Sequence, residues 1–208
     1  METIDKPYAV GDKAESEACV LPDFVLASSS PRRRQLLQEA GYRFQVIEPL
    51  IAEPDEAFSG LSPAQQAESL AYFKARAVWD LYPGKSVLGA DTIVALGPKV
   101  LGKPDDADDA RTMLQNLSGT RHCVITGVAL LTPDCQRIIA SDVTFVTMRA
   151  ITPHEIEQYI ASGEWMGKAG AYAIQETADR FVAKVEGSFS NIVGLPMELL
   201  ARMLERIK

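Results

Sequence analysis

From about Leu21 the chain alternates short apolar runs with stretches whose apolar positions recur every three or four residues. DFVLAS (23–28) reads as a short buried strand, Pro31 to Ala40 as a helix closed by Gly41, and RFQVI (43–47) as a second strand. An acidic loop with Glu48, Glu53, Asp55 and Glu56 leads to a long helix from Ser62 to Asp80. SVLGADTIVAL (86–96) predicts a strand that turns at Gly97-Pro98, and the helix after Pro104 carries Ala110, Met113, Leu114 and Leu117 at helical spacing. Two long strand-like runs, 121–132 and 136–149, meet at a short turn around Pro133-Asp134 and read as a hairpin. A helix from Thr152 to Ser162, a glycine-rich turn, a strand near 181–185 and a final helix after Pro196 complete the order. Strands alternating with helices, plus one hairpin, predict an α/β fold with a mixed sheet.

Composition narrows this picture. The 208 residues suit one large domain or two lobes sharing a core, and 47% hydrophobic residues are enough to build it. Residues 1–20 lack periodicity and are rich in charge, so a flexible N-terminal arm is expected before a single domain over 21–208. The net charge of −7 argues against a polymeric nucleic acid partner, which clustered Lys and Arg would hold, but leaves room for a small anion in a basic cleft. No run approaches the ~20 apolar residues of a membrane helix, and the Met1 end has no apolar segment of a signal peptide. Cys19, Cys123 and Cys135 are odd in number and widely spaced, which disfavours disulfides and zinc and points to a reducing cytoplasm. With only His122 and His154 available, a metal is expected to be a hard cation on carboxylates, Mg²⁺ or Mn²⁺.

Three helices begin with Ser or Thr followed by Pro. Thr152 and Ser62 complete capping boxes with Glu155 and Gln65. Ser30-Pro31 instead leads Arg32, Arg33 and Arg34 into a first turn, where the helix dipole opposes cations. Ser28, Ser29 and Ser30 precede them, so hydroxyls, free amides and guanidinium groups together form a candidate anion site. The plainer alternative is a helix start with solvated arginines, and neither standard phosphate-loop pattern is present.

Asp91 interrupts an apolar strand on the face of Val87, Ile93 and Ala95, while Thr92 shares the other face with Leu88 and Val94. A buried carboxylate there must be paired, bound to metal or shifted in pKa, as a general base or a metal ligand would be; backbone N–H groups at a strand end would also satisfy it. Lys103 is set between Gly102 and Pro104, in a segment that also reads as a plain loop. The acids 105–109 read as a solvated helix start rather than a calcium loop. Lys168 to Gln175 combines small residues, a lysine and an amide able to read a base edge, or forms an ordinary tight turn. His122, His154, Trp79 and Trp165 read as structural, and Lys74 as a lysine on a helix of mixed face.

Taken in order, ASSSPRRRQLL (27–37), GADTIVAL (89–96), GKP (102–104), LSGTRH (117–122), GKAGAYAIQ (167–175) and NIVGLP (191–196) strongly resemble the Maf family of nucleoside triphosphate pyrophosphatases. The resemblance implies a two-lobed mixed-sheet α/β fold like that of inosine-triphosphatase-like enzymes, a homodimer, and a central cleft. It implies hydrolysis between the α and β phosphates with Mg²⁺ or Mn²⁺. Asp91 matches the proton acceptor; Ser28, Arg32, Arg33, Lys74 and Lys103 match catalytic and phosphate-handling positions; Glu53 matches an acidic-loop position that could join Asp91 on the cation. Arg32, Thr92 and Gln175 match positions marking the dTTP/UTP branch, and Lys168 is expected with them at the substrate. Glu176 departs from the Gly common in that branch, and Ser29 from a Gly found in many members. The same chemistry on methylated GTP, or a non-catalytic nucleotide-binding regulator of cell division, are the alternatives.

Overall fold

Strand β3 (Ser86–Leu96) is the spine of the molecule, a run of small, aliphatic and β-branched residues interrupted by Asp91, as expected from its sequence. In the computed structural model, which describes residues 23–50, 60–175 and 177–207, β3 lies in a seven-stranded mixed sheet. The expected arm, Glu53 with the neighbouring acids Asp55 and Glu56, and Glu176 lie outside the described residues. The other strands are β1 (Phe24–Ala27), β2 (Phe44–Ile47), β4 (Lys99–Leu101), β5 (Arg121–Leu131), β6 (Arg137–Met148) and β7 (Val182–Glu186). Their order is β2-β1-β3-β5-β6-β7, with β4 paired to β3 off that path. β1 runs parallel to β2 and β3, and the remaining pairs are antiparallel.

Helix α1 (Pro31–Glu39) makes the crossover between β1 and β2. α2 (Pro63–Trp79) starts in the expected capping box, with Ser62 accepting from the Gln65 amide and the Gln65 side chain accepting from the Ser62 amide. α3 (Ala107–Leu117) begins at Asp106, whose carboxylate caps the Asp109 amide, so the acids there serve as a helix start. α4 (Pro153–Ser162) repeats the capping box with Thr152 and Glu155 and stops at left-handed Gly163. α5 (Phe189–Val193) and α6 (Met197–Glu205) close the chain. β4 and α5, three and five residues long, are additions to the expected order.

Strand alternation divides the core. Odd-numbered residues Val25, Ala27, Val87, Ala129 and Leu131 pack under α2 against Ala71, Ala75 and Val78. Even-numbered residues pack in two groups. Phe24, Leu26, Leu88, Ala90, Val128 and Leu130 meet Leu37 of α1 and Leu199, Leu200 and Met203 of α6. Val94, Val124, Val146 and Met148 meet α3 and α4 through Leu114, Leu117, Ile156 and Tyr159. Thr92 and Thr126, paired in register, fall between these two groups on the same face. A polar row therefore separates these two groups.

Candidate functional site

The cleft opens where the edge of β3 is uncovered. β1 pairs with β3 as far as Gly89, and β4 takes up the same strand only from Val94. Residues 90–93 lie in the gap, with Asp91 and Thr92 at its centre. A cleft of about 470 Å³ gathers Ser28, Arg32, Arg33, Lys74, Asp91, Thr92, Lys103 and Lys168 on its lining. Five basic side chains thus meet a single lining carboxylate among the described residues.

Asp91 is buried, and its Oδ1 is ion-paired with the Lys74 ammonium. The helix of mixed face thus brings Lys74 to the position that the resemblance implies, beside Asp91: α2 crosses the odd face of β3 closely enough to carry it to the gap. Gly89 and Gly127 allow the approach. A Cβ on Gly89 would lie 2.7 Å from the Ala75 nitrogen, and one on Gly127 would lie 2.5 Å from the Glu68 nitrogen.

Arg33 occupies the helix start that the dipole disfavours, and the protein compensates it. Its Nε donates to the Gly194 carbonyl at 2.7 Å, Nη1 to Ser28 Oγ at 3.2 Å and Nη2 to Thr92 Oγ1 at 3.1 Å. Desolvation pulls its pKa below the usual arginine value, partly offset by Asp91, but the group stays charged. Proton counting fixes the direction of the attached chain. Thr126 gives its only proton to the Asn191 carbonyl at 3.0 Å, so it accepts from Thr92 across 2.9 Å. Thr92 therefore accepts a hydrogen bond from Arg33 and donates its own to Thr126, with the Gly194 carbonyl also in reach at 3.4 Å, so its hydroxyl holds Arg33 rather than offering a donor to a ligand. Ser28 is the converse. Its oxygen accepts from the Ser30 amide at 3.2 Å and from Arg33, which leaves its proton for an anion.

The opposite wall is residues 166–174, joined to the Lys103 loop by the Gly170 amide donating to the Gly102 carbonyl at 2.9 Å. Lys103 is exposed and Lys168 half-buried at the rim. Val94, Val124, Tyr172, Ala173, Ile174, Ile192 and Val193 give that part of the cleft an apolar lining. Gln175 is exposed and falls just outside the lining, one residue beyond Ile174. No cluster of three His, Cys, Asp or Glu side chains fit for a metal occurs among the described residues. Thr126 and Met166 belong to the site without being singled out by sequence, and Asn191 and Gly194 were quoted only within the NIVGLP block, with no role given. A threonine among the valines and leucine of the even face of β5 was the available signal. A second concavity, about 560 Å³ and lined by Arg34, Gln38, Tyr42, Arg43, Phe44 and Val46, lies open at the β2 edge, away from Asp91. No described helix is long and apolar enough to cross a membrane.

The chain is similar to known proteins over most of its length. Residues 23–207 match the family described as Maf-like protein. A dTTP/UTP pyrophosphatase of Geobacillus sp. (strain WCH70) is 46% identical over 187 residues, covering 90% of this chain and 99% of its own. The dTTP/UTP pyrophosphatase of Pelotomaculum thermopropionicum is 44% identical over 187 residues, covering 89% and 97%. Among solved structures, the Staphylococcus aureus Ham1 protein aligns with a TM-score of 0.52 at 14% identity over 89% of this chain and 100% of that one, a likeness of fold alone.

Proposed function

Because the chain belongs to the Maf-like protein family, we propose that it is a nucleoside triphosphate pyrophosphatase that hydrolyses dTTP and UTP to the monophosphate and pyrophosphate. The observation that carries the reading is the cleft itself: one buried carboxylate at the uncovered edge of β3, faced by Arg32, Arg33, Lys74, Lys103 and Lys168. A triphosphate brings several negative charges, and fixed cations in a partly dehydrated cleft stabilise those that build up during transfer.

Asp91 is the proton acceptor for water. Lys74 holds its Oδ1, so Oδ2 is the oxygen left to take the proton as water attacks the α phosphorus and the bond to the β phosphate breaks. The released pyrophosphate carries the electron pair of that bond and is met by the basic side chains. Ser28 donates its proton to a phosphate oxygen, and Arg33, held by Gly194 and Thr92, presents its remaining N–H groups in a fixed direction.

One lining carboxylate among the described residues is too few for an all-protein metal cage, but it fits a hard divalent cation that comes with the triphosphate. Asp91, with Glu53 as the second carboxylate given by the resemblance, would hold Mg²⁺ or Mn²⁺, which supplies charge neutralisation and lowers the pKa of bound water. Ile174 and Tyr172 form the base-facing wall, with Gln175 at its rim. A homodimer in a reducing cytoplasm is part of the same proposal.

The test is pyrophosphate release across a panel of nucleotides with Mg²⁺ or Mn²⁺. dTTP and UTP should be the best substrates, and Asp91→Asn should lower kcat by roughly 10²–10⁴-fold. A pure, folded protein that releases no pyrophosphate from any of them overturns the reading.

A further inference from the structure

His122 is a buried group for which the chemistry above has no use. It lies at an even position of β5, two residues before Val124 of the cleft lining, and is 1% exposed. Its Nε2 lies 2.6 Å from the Tyr172 hydroxyl, and the two rings meet edge to face at 5.5 Å. Nδ1 is buried without a partner among the described residues. Two protons are available to this pair and one hydrogen bond is made. If Nε2–H donated, both the phenol proton and the Nδ1 lone pair would be stranded; if the phenol donates, only Nδ1–H is stranded. The imidazole is therefore the Nδ1–H tautomer, accepting from Tyr172. Burial holds it neutral, with a pKa pushed down to about 4.

Tyr172 sits at the end of a strained turn. Gly170 and Ala171 both have positive φ, at 68° and 62°, and Ala171 is not a glycine. Such a backbone persists only where surrounding contacts over-determine it. On one side Gly170 packs on Val94 and donates to Gly102 beside Lys103; on the other the Tyr172 phenol is held by His122. Lys168, Ala169, Tyr172, Ala173 and Ile174 all line the cleft, so these two attachments, with Ala171 and Tyr172 packed in the core, set the shape of the wall.

We propose that His122 is the positioning residue of the base-facing wall: it accepts the Tyr172 proton and holds residues 168–174 in the shape that admits a pyrimidine and turns away a purine. The inference rests on the pyrophosphatase reading for its substrate, but not for its geometry. His122→Phe keeps a ring without the acceptor, Tyr172→Phe deletes one oxygen, and His122→Gln puts an amide oxygen near the Nε2 position.

In the full chain, His122→Phe and Tyr172→Phe should each raise KM for dTTP by about tenfold, the loss expected for one buried hydrogen bond. kcat should fall much less, and the preference for dTTP over dGTP in kcat/KM should narrow. The double variant should be no worse than either single one, and His122→Gln should recover part of the loss. Amide exchange should quicken in 168–174 of His122→Phe, and the ¹⁵N signals of His122 should report Nδ1–H at neutral pH. A folded His122→Phe with wild-type KM, base preference and exchange overturns the proposal, as does full additivity in the double variant. If His122→Phe does not fold, Tyr172→Phe decides by the same readings. If the wild-type protein releases no pyrophosphate, the pyrophosphatase reading fails; exchange then decides the positioning role, with quickening confined to 168–174 supporting it and unchanged exchange overturning it.

Discussion

The Thr92 hydroxyl has one proton to give, and the structure assigns that proton to Thr126 while Arg33 donates to its oxygen. Thr92→Val keeps the shape and strands both neighbours. It should lower stability by about 1–3 kcal/mol in urea unfolding, because buried polar groups then lose partners, and Thr92→Ser should recover most of it. Nucleotide KM should rise in the valine variant as Arg33 loses its fixed direction. Acidification acts at the same scale. His122 titrates at about 4 when folded and near 6.5 when unfolded, so the unfolded chain binds the extra proton between these values. Its contribution is whole above about 6.5, shrinks as pH falls toward 4, and is flat below. Glu155 is held down to about 2 by Arg149 and Thr152, and its smaller, solvent-screened contribution fades as pH falls below about 4.5. The urea midpoint should therefore drop between pH 7 and pH 5, and His122→Gln should remove most of that slope.

Close packing between elements puts the Asp91–Lys74 ion pair in place. α2 lies on β3 and β5 through Ala67, Ala71 and Ala75, over strand positions occupied by Gly89 and Gly127. Gly127→Ala puts a Cβ against the Ala67 carbonyl and 2.5 Å from the Glu68 nitrogen, both backbone, so the helix itself must move. The expected cost is about 1–3 kcal/mol from overpacking. A loss of kcat should accompany it as Lys74 shifts from Asp91, measured by thermal unfolding and steady-state assay together. The long elements were legible because each repeats a pattern: 86–96 was placed to the residue, and Ser62 and Thr152 marked their helix starts. β4 and α5 were not. Three and five residues carry no period, and both exist through partners elsewhere: β4 through the free edge of β3, α5 through the Ser188 cap and the buried Asn191 side chain, which donates to the Val124 carbonyl.

Over the whole molecule, a chain of net charge −7 lines its cleft with five cations and one described carboxylate. The cleft attracts a triphosphate against the field of the rest of the protein, and salt screens both effects. Raising ionic strength from about 0.05 to 0.5 M shortens the screening length from roughly 14 to 4 Å. KM for dTTP should rise several-fold while kcat changes little, as binding has the longer-range charge dependence. A KM independent of salt would mean that short contacts alone hold the nucleotide.

Hydrophobic period and cap chemistry are local properties, so the sequence by itself determined the alternation of strands and helices, the face on which Asp91 lies, and the motif residues that resemble one family. Contact across the chain is not local. Lys74 stands 17 residues from Asp91 and Gly194 161 residues from Arg33, and only the folded sheet brings them together. Tertiary structure decided that Lys74 pairs with Asp91, that Thr92 accepts from Arg33, that Gln175 stays at the rim, and that His122 meets the Tyr172 hydroxyl behind the cleft wall. The physical reason is the same in each case: a buried polar group must find a partner, and which partner it finds depends on the packing that surrounds it.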